Sequence, residues 1–218
     1  MRRDLITSAI AIIALTVLLG LVYPFAMAGV SQVIFPGRAN GSLVKADGKV
    51  VGSRLIGQDF DEPVIGKNGK QEVVKGVPQT QPDPRYFQER PSTATSYNAA
   101  GSSFTNLGPN STVASQTFKA NLQAYLALEK PYDPGLTAAQ VPIDAVTSSG
   151  SGVDPQISLA NADIQAHRVA AVRHLSLTVV DRLISQNING RFLGVLGEAG
   201  VNVLDINLAL DRTTGSAS

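Results

Sequence analysis

Between Leu5 and Gly37 the chain carries no charged residue. Residues 5–28 (LITSAIAIIALTVLLGLVYPFAMA) are apolar except for Thr7, Ser8 and Thr16, whose hydroxyls bond back to helix carbonyls. As a helix these 24 residues run about 36 Å, enough to cross a hydrocarbon core about 30 Å thick with some tilt. Arg2 and Arg3 precede the run, and the next charges are Arg38 and Lys45. The positive-inside rule therefore keeps residues 1–4 in the cytoplasm and puts residues 29–218 outside, on a single-pass anchor in contact with membrane lipid.

A cleaved secretory signal is the rival, because Ala26-Met27-Ala28 satisfies the small-x-small cleavage pattern after a basic start. The apolar run exceeds the roughly 7–15 residues of a signal core. Tyr23 and Pro24 also place an interfacial aromatic and a helix-ending residue where a membrane helix exits. Retention as an anchor is the expectation.

The chain beyond the anchor suits one domain with its own core. Lys and Arg number 18 against 17 Asp and Glu, a formal charge of +1. That leaves no basic stripe to neutralise phosphates, so nucleic acid is not an expected partner. Cysteine is absent, which excludes disulfides and thiolate metal sites.

Residues 42–53 (SLVKADGKVVGS) read as a hairpin turning at Asp47-Gly48, and residues 63–77 (PVIGKNGKQEVVKGV) repeat the design around Asn68-Gly69. The second is polar and followed by proline-rich flanks, so residues 61–84 are expected to be a peripheral insertion. Residues 90–115 are rich in Ser, Thr, Asn, Gly and Pro and form a long loop. A helix is expected over residues 115–129, with Phe118, Leu122, Tyr125 and Leu126 on one face and Pro131 and Pro134 ending it. Ser158 caps a helix carrying Ile164, Ala171 and Val172. Ser176 caps another carrying Leu177, Val180, Leu183 and Ile184, with Gly190 at its exit. Residues 201–207 (VNVLDIN) read as a strand, and Leu208 to Leu210 continue it or turn helical. The resulting fold class is mixed α/β: one transmembrane helix, then a single extracytoplasmic domain with a small, mainly antiparallel sheet and several helices.

Recognised catalytic motifs are incomplete. Gly52 and Gly57 have the spacing of a phosphate-binding loop but are followed by Gln58 rather than Lys-Ser/Thr. The Asp-Lys-Thr-Gly phosphorylation sequence of P-type pumps is absent. Ser42 and Lys45 match the Ser-x-x-Lys of penicillin-binding enzymes, which is the basis of an alternative function, a membrane-tethered cell-envelope serine hydrolase. That chemistry needs the serine at a helix start, whereas strand alternation sends Ser42 and Lys45 to opposite faces. His167 and His174, with no acidic ligand between them, suit helix surfaces better than a metal pair. Arg168 and Arg173 suit either the helix surface or a clamp on a carboxylate or a backbone loop. In residues 148–158 (SSGSGVDPQIS), consecutive small residues let backbone N–H groups face an anion or let another chain approach closely.

Taken in order, a set of segments resembles the C subunit of Kdp-type, ATP-driven potassium transporters over nearly the whole chain. The segments are Tyr23-Pro24, Asn40-Gly41-Ser42-Leu43, Gly52-Ser53, Leu55-Ile56-Gly57-Gln58 with Phe60, Tyr86-Phe87 with Arg90-Pro91-Ser92, and Asn106-Leu107-Gly108-Pro109. They continue with Val141-Pro142, residues 146–158 including Asp154, Gln165 with Arg168-Val169-Ala170 and Arg173, Val201-Asn202-Val203-Leu204, and Asn207-Leu208-Ala209-Leu210. Residues 61–84 lengthen the connection between two of these segments and fall outside what the family implies.

The resemblance implies a non-catalytic accessory subunit in the cell (inner) membrane of a bacterium. Its partners would be a channel-like potassium-translocating subunit and a P-type ATPase subunit. The complex would transport potassium using ATP and Mg2+, while this chain holds no cofactor and no metal of its own. The family is described as a catalytic chaperone that raises the ATP affinity of the ATPase subunit, with Ser149, Gly150, Ser151 and Gly152 likened to a nucleotide-contacting signature. If Arg2 and Arg3 stay inside, those four residues are outside, away from the pump's nucleotide domain. Stabilisation of the complex or shaping of the ion entrance, acting on ATP use indirectly, is the consistent expectation.

Overall fold

The computed structural model describes residues 2–92, 97 and 101–215. The chain divides into two compact units, Met1–Ser53 and Arg54–Ser218.

In the first unit, helix α1 covers Arg2–Ile34, 33 residues long and apolar enough to cross a membrane. At 1.5 Å per residue it is about 50 Å long. Pro24 does not end it, contrary to the sequence expectation. A π-helical turn at Leu18–Val22 lies immediately before Tyr23 and Pro24. The wider hydrogen-bond spacing of that turn accommodates the missing proline N–H without breaking the rod. The helix stops at Phe35 (φ −135°, ψ 58°), which Pro36 excludes from helical geometry. Strands β1 (Leu43–Ala46) and β2 (Lys49–Ser53) then pair antiparallel. Asp47 and Gly48 both have positive φ, 50° and 78°, as a twist-matched two-residue turn requires.

The second unit opens with an exposed antiparallel region. Strand β3 (Asp61–Pro63) pairs β6 (Thr80–Pro82), and β4 (Val73–Val74) pairs β5 (Val77–Pro78). The Asn68-Gly69 turn is present beneath an Ile65–Gln71 bridge, and a second turn at Lys75-Gly76 (φ 51° and 82°) joins β4 to β5. Prolines occupy strand positions here because these short strands lack a second neighbour.

Helix α2 (Thr112–Glu129) begins earlier than expected, because Ser111 supplies the cap by accepting the Ala114 N–H at 3.2 Å. Strands β7 (Gln156–Ile157), β8 (Ile188–Asn189) and β9 (Gly200–Asn202) form an antiparallel sheet in the order β7-β9-β8. Helices α3 (Leu159–Val172), α4 (Leu177–Gln186) and α5 (Val203–Gly215) pack with it around Phe87, Ile157, Ala166, Val169, Val180, Val201, Ile206 and Leu210.

The structure corrects three expectations. Residues 201–207 are not one strand: the strand stops at Asn202, whose Oδ1 accepts the Asp205 N–H at 3.0 Å and starts α5. Val203, Ile206, Asn207 and Leu210 then share one buried face at helical spacing. On α3, Ser158 is the cap, but the buried stripe is Asn161, Ala162, Gln165, Ala166, Arg168 and Val169, while Ala171 is exposed. On α4, Ser176 occupies the cap position without a side-chain hydrogen bond, and the helix ends at Gln186, before Gly190.

Candidate functional site

Several of the family-like residues meet at one segment, residues 84–90, a turn at 84–86 followed by irregular backbone, which runs between α3, α5 and the end of α2. It has no partner strand, so side chains satisfy its backbone. Asn207, buried on α5, accepts the Phe87 N–H through Oδ1 and donates through Nδ2 to the Phe87 carbonyl, each at 2.9 Å. Gln165 does the same for Gln88, accepting its N–H at 2.7 Å and donating to its carbonyl at 3.0 Å. An amide side chain reproduces what a neighbouring strand would offer, one acceptor and one donor.

Arg168 extends the clamp. Its side chain is wholly buried, and Nη1 donates to the carbonyls of Pro84 (2.7 Å) and Tyr86 (2.8 Å). Nη2 donates to Gln165 Oε1 at 2.9 Å, and Nε to both oxygens of Glu129 at 3.0 and 3.1 Å. Burial pushes the Glu129 carboxyl above its ordinary range, and Arg168 pulls it part of the way back. Arg173, one turn further on, donates from Nε to the Arg85 carbonyl at 2.7 Å and from Nη2 to Asp211 at 2.9 Å. Its guanidinium lies 4.5 Å from the Tyr86 ring centre, and that ring tilts against Phe60 at 5.6 Å. Both arginines therefore clamp: Arg168 a carboxylate and backbone, Arg173 backbone and a carboxylate.

Upstream, Asp144 accepts from the Ser158 N–H and hydroxyl, both at 2.8 Å, and from Asn161 Nδ2 at 3.1 Å. Tyr125 donates to Asn161 Oδ1 at 2.8 Å. Burial, with Glu129 nearby, pushes the Tyr125 hydroxyl up, so it remains a donor at any physiological pH. Glu129, Asp144 and Asn161 were not singled out from the sequence. Glu129 was detectable in principle, since it continues the Phe118, Leu122, Tyr125 stripe of α2.

Arg90 ties this frame to the small-residue loop. Nη1 meets Asp154 at 3.2 Å, and Nη2 lies 3.3 Å from the Ser148 carbonyl. Ser92 donates to the Gly152 carbonyl, and the Gly57 N–H to that of Val153 at 2.8 Å. Within the loop, Ser149 Oγ accepts the Gly152 N–H at 2.9 Å and Ser151 Oγ the Val153 N–H at 3.2 Å. Gly152, at φ 73°, supplies the left-handed residue that closes the loop. Two amide donors that an anion would use are thus taken by the loop's own hydroxyls, and Ser149 and Ser151 themselves lie 3.3 Å apart.

Of the remaining sequence candidates, some border this cluster and others lie away from it. Gln58 and Phe60 border the same groove as Arg90 and Pro91, whereas Asn106, Leu107 and Gly108 lie exposed ahead of α2. Asn202 also donates to the Arg54 carbonyl at 3.0 Å. His167 and His174 are exposed, and the described residues hold no cluster of three His, Asp or Glu side chains able to take a metal. Ser42 precedes a strand rather than starting a helix, with exposed Lys45 inside that strand. Parts of the long loop, residues 93–96 and 98–100, lie outside the described residues.

The family model described as "K+-transporting ATPase, c chain" matches residues 5–212. The chain is 42% identical over 214 residues to the potassium-transporting ATPase KdpC subunit of Mycobacterium tuberculosis, covering 97% of this chain and all of that protein. It is 45% identical over 198 residues to the protein of that name in Methylococcus capsulatus, 90% of each chain. Against that of Caldanaerobacter subterraneus the identity is 43% over 194 residues, 89% and 87% of the two chains. A match of this extent means that the chain belongs to the K+-transporting ATPase c chain family.

Proposed function

We propose that this chain is a non-catalytic accessory subunit of an ATP-driven potassium import complex. The near full-length likeness to proteins named as potassium-transporting ATPase subunits carries this reading. Helix α1 anchors the chain in the cell membrane of a bacterium, with Arg2 and Arg3 at the cytoplasmic end and residues 29–218 outside. The partners are the channel-like potassium-translocating subunit and the P-type ATPase subunit, which supplies the ATP and Mg2+ chemistry.

The clamp of Gln165, Arg168 and Asn207 serves assembly. By fixing residues 84–90 without a partner strand it presents a preformed surface, which lowers the ordering cost of binding. Residues 149–152 belong to that outer surface. ATP affinity then rises indirectly, through the pump's conformational equilibrium, because a subunit that binds one conformation preferentially shifts the population toward it.

Purification of the full chain from detergent tests this reading. Both large subunits are expected to come with it, and potassium-stimulated ATPase activity to fall when the chain is omitted. Recovery of the chain alone from cells that express the other subunits would overturn the assignment.

The insertion is peripheral to this role. Removing residues 64–77 and rejoining the chain should leave potassium-stimulated ATPase activity of the complex within about twofold, since surface segments without buried contacts contribute little to stability. Loss of the complex would make the insertion an interface.

A further inference from the structure

Among the described residues, three buried side-chain atoms lack a hydrogen-bond partner: both carboxylate oxygens of Glu89 and Nε of Arg90. Buried polar groups are almost always paired, so three orphans on two adjacent residues mark an incomplete site rather than scattered packing faults. Both residues line one groove of about 360 Å3, which Asp59, Phe60, Asp61, Tyr97 and Tyr125 also border. As placed, neither oxygen of the Glu89 carboxyl is paired. The Gln58 backbone N–H faces the group and favours its charged form, without hydrogen-bond geometry.

The orphans and the lining charges restrict the occupant. Arg90, the cation of the lining, is already matched by Asp154 at 3.2 Å. Asp59 and Asp61 line the groove beside Glu89, and these carboxyl groups make it unsuited to nucleotides and other anions. A bare metal ion fits poorly beside the Arg90 Nε–H, and no metal-holding cluster occurs among the described residues. The remaining candidate is a positively charged donor on a polypeptide, whose own backbone carbonyl accepts the Arg90 Nε–H. Phe60, Tyr97 and Tyr125 line the groove, and aromatic rings attract guanidinium and ammonium groups.

We propose that this groove seats a lysine or arginine side chain of a partner subunit, with Glu89 as its counter-ion. The proposal rests on the accessory-subunit reading of the chain. In the free chain burial holds the Glu89 carboxyl well above the ordinary carboxylate range, and Asp154 adds to the push. Its oxygens are closed to water, so a rotation of the Glu89 side chain accompanies docking. The arriving cation then lets the group ionise, giving an ion pair screened from solvent and specific for charge and shape.

The test uses the whole complex in detergent. A photo-reactive benzoylphenylalanine replaces Ala124, an exposed residue on the groove's edge. Irradiation is expected to link the chain to a partner subunit, with a lysine or arginine within a few residues of the linked position. Glu89→Gln should cut the yield at least fivefold while the chain's melting temperature stays level or rises. An undiminished yield in Glu89→Gln, or a linked peptide without a basic residue, would overturn the proposal. A link lost when potassium replaces sodium would assign the groove to the ion instead. If the large subunits fail to co-purify even with the unsubstituted chain, the accessory reading itself fails, a result distinct from an intact complex whose link ignores Glu89.

Discussion

Replacing Arg168 with methionine should destabilise the unit of residues 54–218 by roughly 3–5 kcal/mol, the range for breaking a buried ion pair from one side. Methionine fills much of the volume but supplies none of the donors that meet Glu129, Gln165, Pro84 and Tyr86. Domains of this size are stable by about 5–15 kcal/mol, so the variant retains little margin. Denaturant unfolding of the full chain in detergent, followed by tyrosine fluorescence, measures the loss.

The stranded Glu129 gives the loss a pH signature. With Arg168 gone, burial, the largest influence on this carboxyl, is opposed only by His167 and holds its folded-state pKa above the unfolded value. Stability from such a group is fully present below the unfolded pKa and is lost as pH rises through the folded one. The Arg168→Met defect should therefore be smaller in mild acid than at neutral pH. Adding Glu129→Gln should recover part of the neutral-pH loss, because the second change removes the unpaired charge. A defect equal at both pH values, and unchanged in the double variant, would show that packing rather than charge pairing is what Arg168 supplies.

Asn207→Ala is the second large effect. It orphans the N–H and the carbonyl of Phe87, whose side chain is itself fully buried. At about 1–3 kcal/mol for each unpaired group, the expected loss is roughly 3 kcal/mol. Asn207→Asp discriminates further. It keeps the acceptor for the Phe87 N–H, loses the donor to the carbonyl, and buries a carboxylate. Desolvation raises the folded-state pKa of such a carboxylate, so the aspartate variant should regain stability as pH falls. Asn106→Ala, at an exposed position, should change stability by no more than about 0.5 kcal/mol. Equal effects at the two asparagines would refute the clamp.

Asn207 stood out in the sequence through a resemblance alone, whereas Arg168 was also read from its residue type as either a surface residue or a clamp on a carboxylate or a backbone loop; neither reading names the groups they touch. Residue periodicity was silent for a physical reason. Helix periodicity is read by counting apolar side chains, and it selected Ile164, Ala171 and Val172 on α3. The stripe that is buried holds Asn161, Gln165 and Arg168 beside small alanines. Those polar groups are costly to bury alone and favourable only when a lone backbone segment offers them partners. That backbone, residues 84–88, lies some eighty positions away in the chain.

The same holds at the end of the chain. Residues 201–207 read as a strand, with Leu208 to Leu210 left open between strand and helix, and a run of seven contains too few repeats to separate periods of 2 and 3.6. The Asn202 cap and the burial of Ile206 and Leu210 decide for a helix after one short strand.

Features that depend on neighbours in sequence were legible without the fold. The uncharged run produced a spanning-length helix, Asp47-Gly48 a tight turn, and Ser158 a cap, since each is set by interactions within a few residues. Where the polar side chains go, which face of α3 is buried, and why the Glu89 carboxyl oxygens and Arg90 Nε are left unpaired were decided by contacts between distant segments. A buried hydrogen bond contributes only when both partners arrive together, and only the tertiary structure brings them together.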